Sequence, residues 1–116
     1  MASKAMAETS PEYFLMMTFE ISSDQEALFN EIYDAEHAPY ILQVEGVHSC
    51  LRFVDASPSA DGWLVYSTLY RFGRPDLPDS DAWKAASDRG RWKDLIRPYV
   101  KSRQRRLGKI VIEYRT

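Results

Sequence analysis

Hydrophobic and polar positions divide the chain into alternating elements. Residues 13–21 (Tyr-Phe-Leu-Met-Met-Thr-Phe-Glu-Ile) are apolar at nearly every position, the pattern of a strand covered on both faces. Ser22, Ser23 and Asp24 offer cap oxygens, and Glu26 follows Ser23 by three, as a capping box requires, so a helix starts here. Along it Leu28, Phe29, Ile32 and Tyr33 form one stripe at ~100° per residue, with Glu36 near its middle and His37 at its margin. Pro39 lacks a backbone donor and disfavours helical geometry at Ala38, which predicts an end or kink there and puts His37 in the last turn. Gly46 is the first residue able to stop any continuation without strain.

Residues 47–54 then alternate as a strand, with Val47, Ser49, Leu51 and Phe53 on one side and His48, Cys50, Arg52 and Val54 on the other. The Ser, Pro, Asp and Gly of 55–62 close a long hairpin into 63–72, a third strand apolar on both faces. After a loop over 73–78, Asp79, Ser80 and Asp81 cap a helix carrying Trp83, Ala85 and Ala86, which Gly90 interrupts. A further helical piece holds Trp92, Leu95 and Ile96 before Pro98, and β-branched Ile110, Val111 and Ile112 mark a last strand over 107–114. Residues 1–12 show no period and are expected to be an arm without function, leaving 13–116 as one domain.

The order β-α-β-β-α-β with right-handed crossovers gives a ferredoxin-like α+β fold, a four-stranded antiparallel sheet with both helices on one face. Two strands apolar on both sides leave the other face as a large exposed patch, which predicts a homodimer packed sheet on sheet.

Composition narrows the reading. With 116 residues, 45% of them hydrophobic, the chain fits one modest core. A net charge of −2 and a pI near 5.7 give no global pull toward nucleic acid or an anionic membrane. The one local exception, Lys101, Arg103, Arg105, Arg106 and Lys109, reads either as a solvated helix end leading into a strand or as a site for an anionic ligand. Cys50 is the only cysteine, so no internal disulfide forms, which points to the cytoplasm. No apolar run approaches the ~18 residues that span a bilayer.

The segment Phe29-Asn30-x-x-Tyr33-Asp34-x-Glu36-His37-x-Pro39, with Gly46-Val47, Arg52-Phe53, Trp83 and Trp92, resembles the EthD-like branch of the dimeric α+β barrel superfamily over roughly residues 13–114. The resemblance implies the same fold, a dimer, and a pocket for apolar substrates between sheet and helices. Similar folds occur among muconolactone isomerases, cofactor-free monooxygenases and polyketide cyclases, and the resemblance does not choose among them.

The residues themselves fit proton transfer. His37 can act as a general base near neutral pH. Glu36 either pairs with Arg52 or, desolvated, serves as the matching acid. Tyr33, Tyr40 and Tyr66 can donate to a developing enolate or phenolate oxygen, and Trp83 and Trp92 can wall an aromatic ligand. Each has a plainer role: His37 as a cation at a helix C-terminus, Glu36 in a salt bridge, the aromatic residues as core. His48 shares a predicted strand face with Cys50, but two histidines and one cysteine fall short of four ligands, so no metal is expected. No phosphate loop, Cys-x-x-Cys or Gly-x-Ser-x-Gly element occurs, and no cofactor is expected. The reading is a small cofactor-independent enzyme of isomerase, cyclase or lyase type acting on an apolar or aromatic carbonyl compound. The alternatives are a non-catalytic binding or accessory module and a cofactor-free monooxygenase of this fold.

Overall fold

A computed structural model describes residues 6–8 and 12–116 of the chain. The arm expected over 1–12 lies outside the described residues at 1–5 and 9–11. Within it β1 (Met6–Glu8) pairs antiparallel with β6 (Glu113–Arg115), and Glu12 opens β2 (Glu12–Ile21). β3 (Val47–Val54), β4 (Leu64–Phe72) and β5 (Ser102–Ile110) join β2 in a four-stranded antiparallel sheet of order β3-β4-β2-β5. This is the ferredoxin-like arrangement, with the helices on one face.

The helix-covered face alternates as strand geometry requires. Leu15, Phe19 and Ile21 of β2 and Tyr70 and Phe72 of β4 are buried on it. The opposite face is more mixed than the apolar runs predict. Phe14, Met16, Leu51, Phe53 and Leu69 share it with Thr18, Ser67, Gln104, Arg71 and Arg106, and the Thr18 and Ser67 hydroxyls lie 3.0 Å apart.

The expected alternation of β3 fails at one point. A bulge between Val47 and Ser49 lets Val47 pack on the core beside Cys50, while Ser49 and Leu51 face the other way. His48 sits at that bulge with its Nδ1 2.7 Å from Glu12 Oε1, so it does not share a site with Cys50. The last sheet strand also starts earlier than the β-branched residues indicate. The basic run at 103–106 is strand, not a helix end, because edge-strand β5 pairs its whole length with β2.

The first helical segment runs on past Pro39, from Ser23 to Leu42, and what precedes the proline is a change of coil rather than an end. A 3₁₀ turn (Ser23–Gln25) leads into α1 (Glu26–Ile32), a π-helical turn spans Tyr33–His37, and α2 (Ala38–Leu42) completes it. The predicted capping box does not form, since Ser22 is the cap and its side chain makes no capping bond. The proline is tolerated because it falls in the first turn of α2, just after the Ala38 N–H reaches back five residues to the Tyr33 carbonyl. Gly46, at φ 97°, follows the helix end as predicted.

The second helix, α3 (Asp81–Asp88), is capped as the sequence indicates, the Ser80 hydroxyl accepting from the Trp83 N–H at 3.2 Å. Gly90, at φ 76°, makes the turn into a second π-helical segment (Trp92–Ile96), and a 3₁₀ turn over Arg97–Tyr99 leads to β5.

Candidate functional site

The two π-helical turns meet between the sheet and the helices. The His37 ring stacks on Trp92 at 4.2 Å between centroids and 23° between planes, and meets the edge of Tyr33 at 4.9 Å. Trp92 also packs edge-on against Phe19 and Tyr33. A cavity of about 280 Å³ opens beside this cluster. Its floor is the sheet, through Leu15, Met17, Phe19 and Tyr70, and its roof is Tyr33, His37, Ile41, Trp83 and Trp92. Pro78, Lys84, Ser87, Asp88, Arg97, Arg103 and Arg105 complete the lining.

His37 is 5% exposed, and its Nδ1 is buried with no hydrogen-bond partner among the described residues. Burial, helped by the positive charge of Arg97 and opposed by Asp88, pushes its pKa down to about 3, so the ring is a neutral imidazole at cellular pH. A cation serving a helix end is therefore not its role: the residue lies mid-segment and uncharged. The hydroxyls of Tyr33 and Tyr70 lie 3.1 Å apart, and burial raises Tyr33 to about 12 and Tyr70 well above its ordinary value. Both phenols keep their protons. Only one can donate to the other.

Of the residues singled out by sequence, Tyr33, His37, Trp83 and Trp92 meet at the cavity. Glu36, Tyr40, Arg52 and Tyr66 do not. The expected Glu36–Arg52 pair is replaced by Glu36–Arg91, in which the carboxylate accepts from the Arg91 backbone N–H at 2.9 Å and from its Nε at 2.5 Å. Those bonds hold Glu36 below the usual carboxylate range, which removes it as a proton donor. The physical reason is the π turn: its wider coil advances the buried stripe by about one residue, so His37 takes the central position assigned to Glu36 and Glu36 moves to the margin.

Arg52 lies at the far end of the same helix–sheet layer, bonded to Asp34 and, at 2.7 Å, to Asn30 Oδ1, with its guanidinium 4.6 Å from the Tyr33 ring centroid. Tyr66 donates to Glu26 at 2.5 Å and accepts from Asn30 at 3.1 Å. Tyr40 lies under the Arg89 guanidinium, 4.3 Å from it, on a separate shallow surface. Tyr70 is one site residue that sequence reasoning missed, because a strand apolar on both faces does not reveal which side chains turn toward the helices, and Lys84 of α3 is another. Cys50 is half-buried, and burial raises its thiol to about 11, which makes it unreactive.

No protein-family model matches the sequence, and no curated protein matches it. Among solved structures, the chain is similar to a protein from Bordetella bronchiseptica described as a putative antibiotic biosynthesis monooxygenase, with 15% identity and TM-score 0.60 over 88% of this chain and 99% of that one. It is similar to an EthD family protein from Bacillus halodurans at 19% identity and TM-score 0.56, covering 84% and 96% of the two chains. A dimeric ferredoxin-like protein from an uncultured marine organism gives 15% identity and TM-score 0.62, with 90% of each chain covered. These likenesses establish the fold. The chain is a ferredoxin-like α+β protein of the architecture that the Tyr-Asp-x-Glu-His-x-Pro resemblance implies.

Proposed function

We propose that the protein is a small cofactor-independent enzyme that moves a proton on an apolar or aromatic carbonyl compound held in the cavity, chemistry of the isomerase, cyclase or lyase type. The observation that carries this reading is the buried, neutral imidazole of His37, unpartnered at Nδ1 among the described residues, in the wall of an aromatic cavity that the phenols of Tyr33 and Tyr70 also line. Neutral imidazole is the form that accepts a proton. In the proposed step it takes the proton from a carbon beside the carbonyl. The C–H electron pair becomes a C=C bond, and the carbonyl π pair moves to oxygen. One of the two lining phenols, Tyr33 or Tyr70, turns its O–H from its protein partner and donates to that enolate oxygen. The imidazolium then returns the proton to carbon. Trp83 and Trp92 wall the substrate.

One observation favours the non-catalytic binding module: a pKa near 3 lies far below the pH at which a general base works best. The enolate supplies the counter-charge that offsets this, since an adjacent anion raises an imidazole pKa. The bicyclic ketone 2-tetralone separates the two readings. In D₂O, the protein should accelerate exchange of its α-protons, and His37→Gln should lower that rate by ~10²- to 10⁴-fold while the fold persists. Ketone binding, seen by saturation-transfer NMR, without accelerated exchange would establish the binding module instead.

We also propose that residues 13–116 act as one domain and that two copies pair through the uncovered sheet face, where Leu51 is 61% and Phe53 40% exposed. Solved neighbours described as dimeric support this. A monomer in sedimentation at micromolar concentration would refute the pairing. An unpaired cysteine fits a reducing cytoplasm.

A further inference from the structure

The edge strand of the sheet breaks the pattern its position demands. Arg103 and Arg105 pair in register with Phe19 and Met17, so their side chains stand on the helix-covered face, where Leu107, opposite Leu15, continues the apolar row. Two arginines thus occupy positions where apolar residues would close the core, and both line the cavity. Lys84 of α3 lines it too. Arg97 is committed to Asp88 at 2.8 Å, and Arg105 reaches Asp79 at 3.3 Å. The side chains of Arg103 and Lys84 make no hydrogen bond or ion pair among the described residues. An aromatic cavity in a chain of net charge −2 therefore carries four cations against one lining carboxylate, two of them uncommitted.

We infer that the ligand of this cavity is an aromatic acid, its ring between Trp83, Trp92 and the sheet and its carboxylate held by Arg103 and Lys84. The inference rests on the cavity being a ligand site, as proposed above. At about 280 Å³ the cavity lies just below the ~300–1,000 Å³ range of small-molecule sites, which limits the ring system to about two rings. A planar guanidinium suits a carboxylate through paired hydrogen bonds, and a lysine adds a point charge. Nucleic acid is a poor fit, because the cations ring a concave apolar site in an acidic chain and do not form an extended track.

The test compares 2-naphthoate with 2-naphthamide, which share ring system and size and differ in charge. Calorimetric titration of the full chain should show naphthoate bound ~5- to 30-fold more tightly, with the preference shrinking in 0.5 M salt. The double variant Arg103→Gln/Lys84→Gln should lose the preference and keep its affinity for naphthamide. Neither side chain has a partner among the described residues to lose, so the variant is expected to fold, which circular dichroism checks. Equal binding of both probes by the native protein, or a preference that survives in the variant, overturns the aromatic acid and leaves the cavity as a site for neutral ligands. No binding of either probe at millimolar concentration overturns the ligand site and this inference with it. Tight salt-sensitive binding of an oligonucleotide that naphthoate does not displace would also overturn it.

Discussion

The two ends of the helix–sheet layer treat buried polar groups in opposite ways. At one end Arg52, Asn30, Asp34, Tyr66 and Glu26 close a network in which each side chain meets another, and only Arg52 Nε is left over. At the other end the buried His37 Nδ1 has no partner among the described residues, and it borders a cavity that the exposed, uncommitted side chains of Arg103 and Lys84 also line. Burying an imidazole without a hydrogen bond costs free energy that folding alone gives no reason to spend. The satisfied network fixes the packing of α1 on the sheet. The unsatisfied end is where the proposed ligand would complete the structure.

The proposed catalysis at His37 is the largest expected contrast, and the exchange experiment above tests it. Next in size is the aromatic cluster. Trp92 is 3% exposed and touches Phe19, Phe29, Tyr33 and His37, so Trp92→Ala should cost ~3–5 kcal/mol in denaturant unfolding. A loss below ~1 kcal/mol would mean the π-helical turns do not depend on this contact, and the cavity would have no rigid wall.

Acid sharpens the comparison further. His37 has a pKa of about 3 when folded against 6.5 ordinarily. Below 6.5 the unfolded chain binds a proton that the folded chain refuses. The contribution of neutral His37 is therefore complete above pH 6.5 and is lost as pH falls toward 3, at up to ~1.4 kcal/mol per pH unit. Between pH 6.5 and 5 the stability of the native protein should fall more steeply than that of His37→Gln. Parallel curves would place His37 in contact with water and remove the desolvated base.

The features that local chemistry decides were legible in the sequence. The Asp79-Ser80-Asp81 triplet announced the cap that Ser80 makes, Gly46 marked the chain reversal, and the element order gave the strand order. Departures from regular periods hid the rest. A 3.6-residue repeat carried through Tyr33–His37 puts Glu36 inward, whereas the π turn puts His37 there and turns Glu36 to Arg91. A two-residue repeat carried through β3 puts His48 beside Cys50, whereas the bulge separates them. Nothing in Arg103 and Arg105 marks a strand facing helices, because that position normally takes apolar residues. The sequence misleads most where the site lies, as expected if function has overridden local pattern.

The smallest effects divide the two ends most cleanly, through their arginines. Arg52 is committed: its side chain is 18% exposed, and removing it strands Asn30 Oδ1 while Asp34, largely exposed, returns to water. Arg52→Met should cost ~1–3 kcal/mol, the penalty for an unmade hydrogen bond in a partly buried site. Arg103 is exposed and uncommitted, so Arg103→Gln should change unfolding free energy by no more than ~0.5 kcal/mol. It removes no partner and opens no buried space. Unfolding of both variants in urea at neutral pH reads the difference directly. If Arg103→Gln destabilised the chain as much as Arg52→Met, its charge would be part of the fold's own electrostatic balance, and the contrast between a closed network and an open site would fail at that residue.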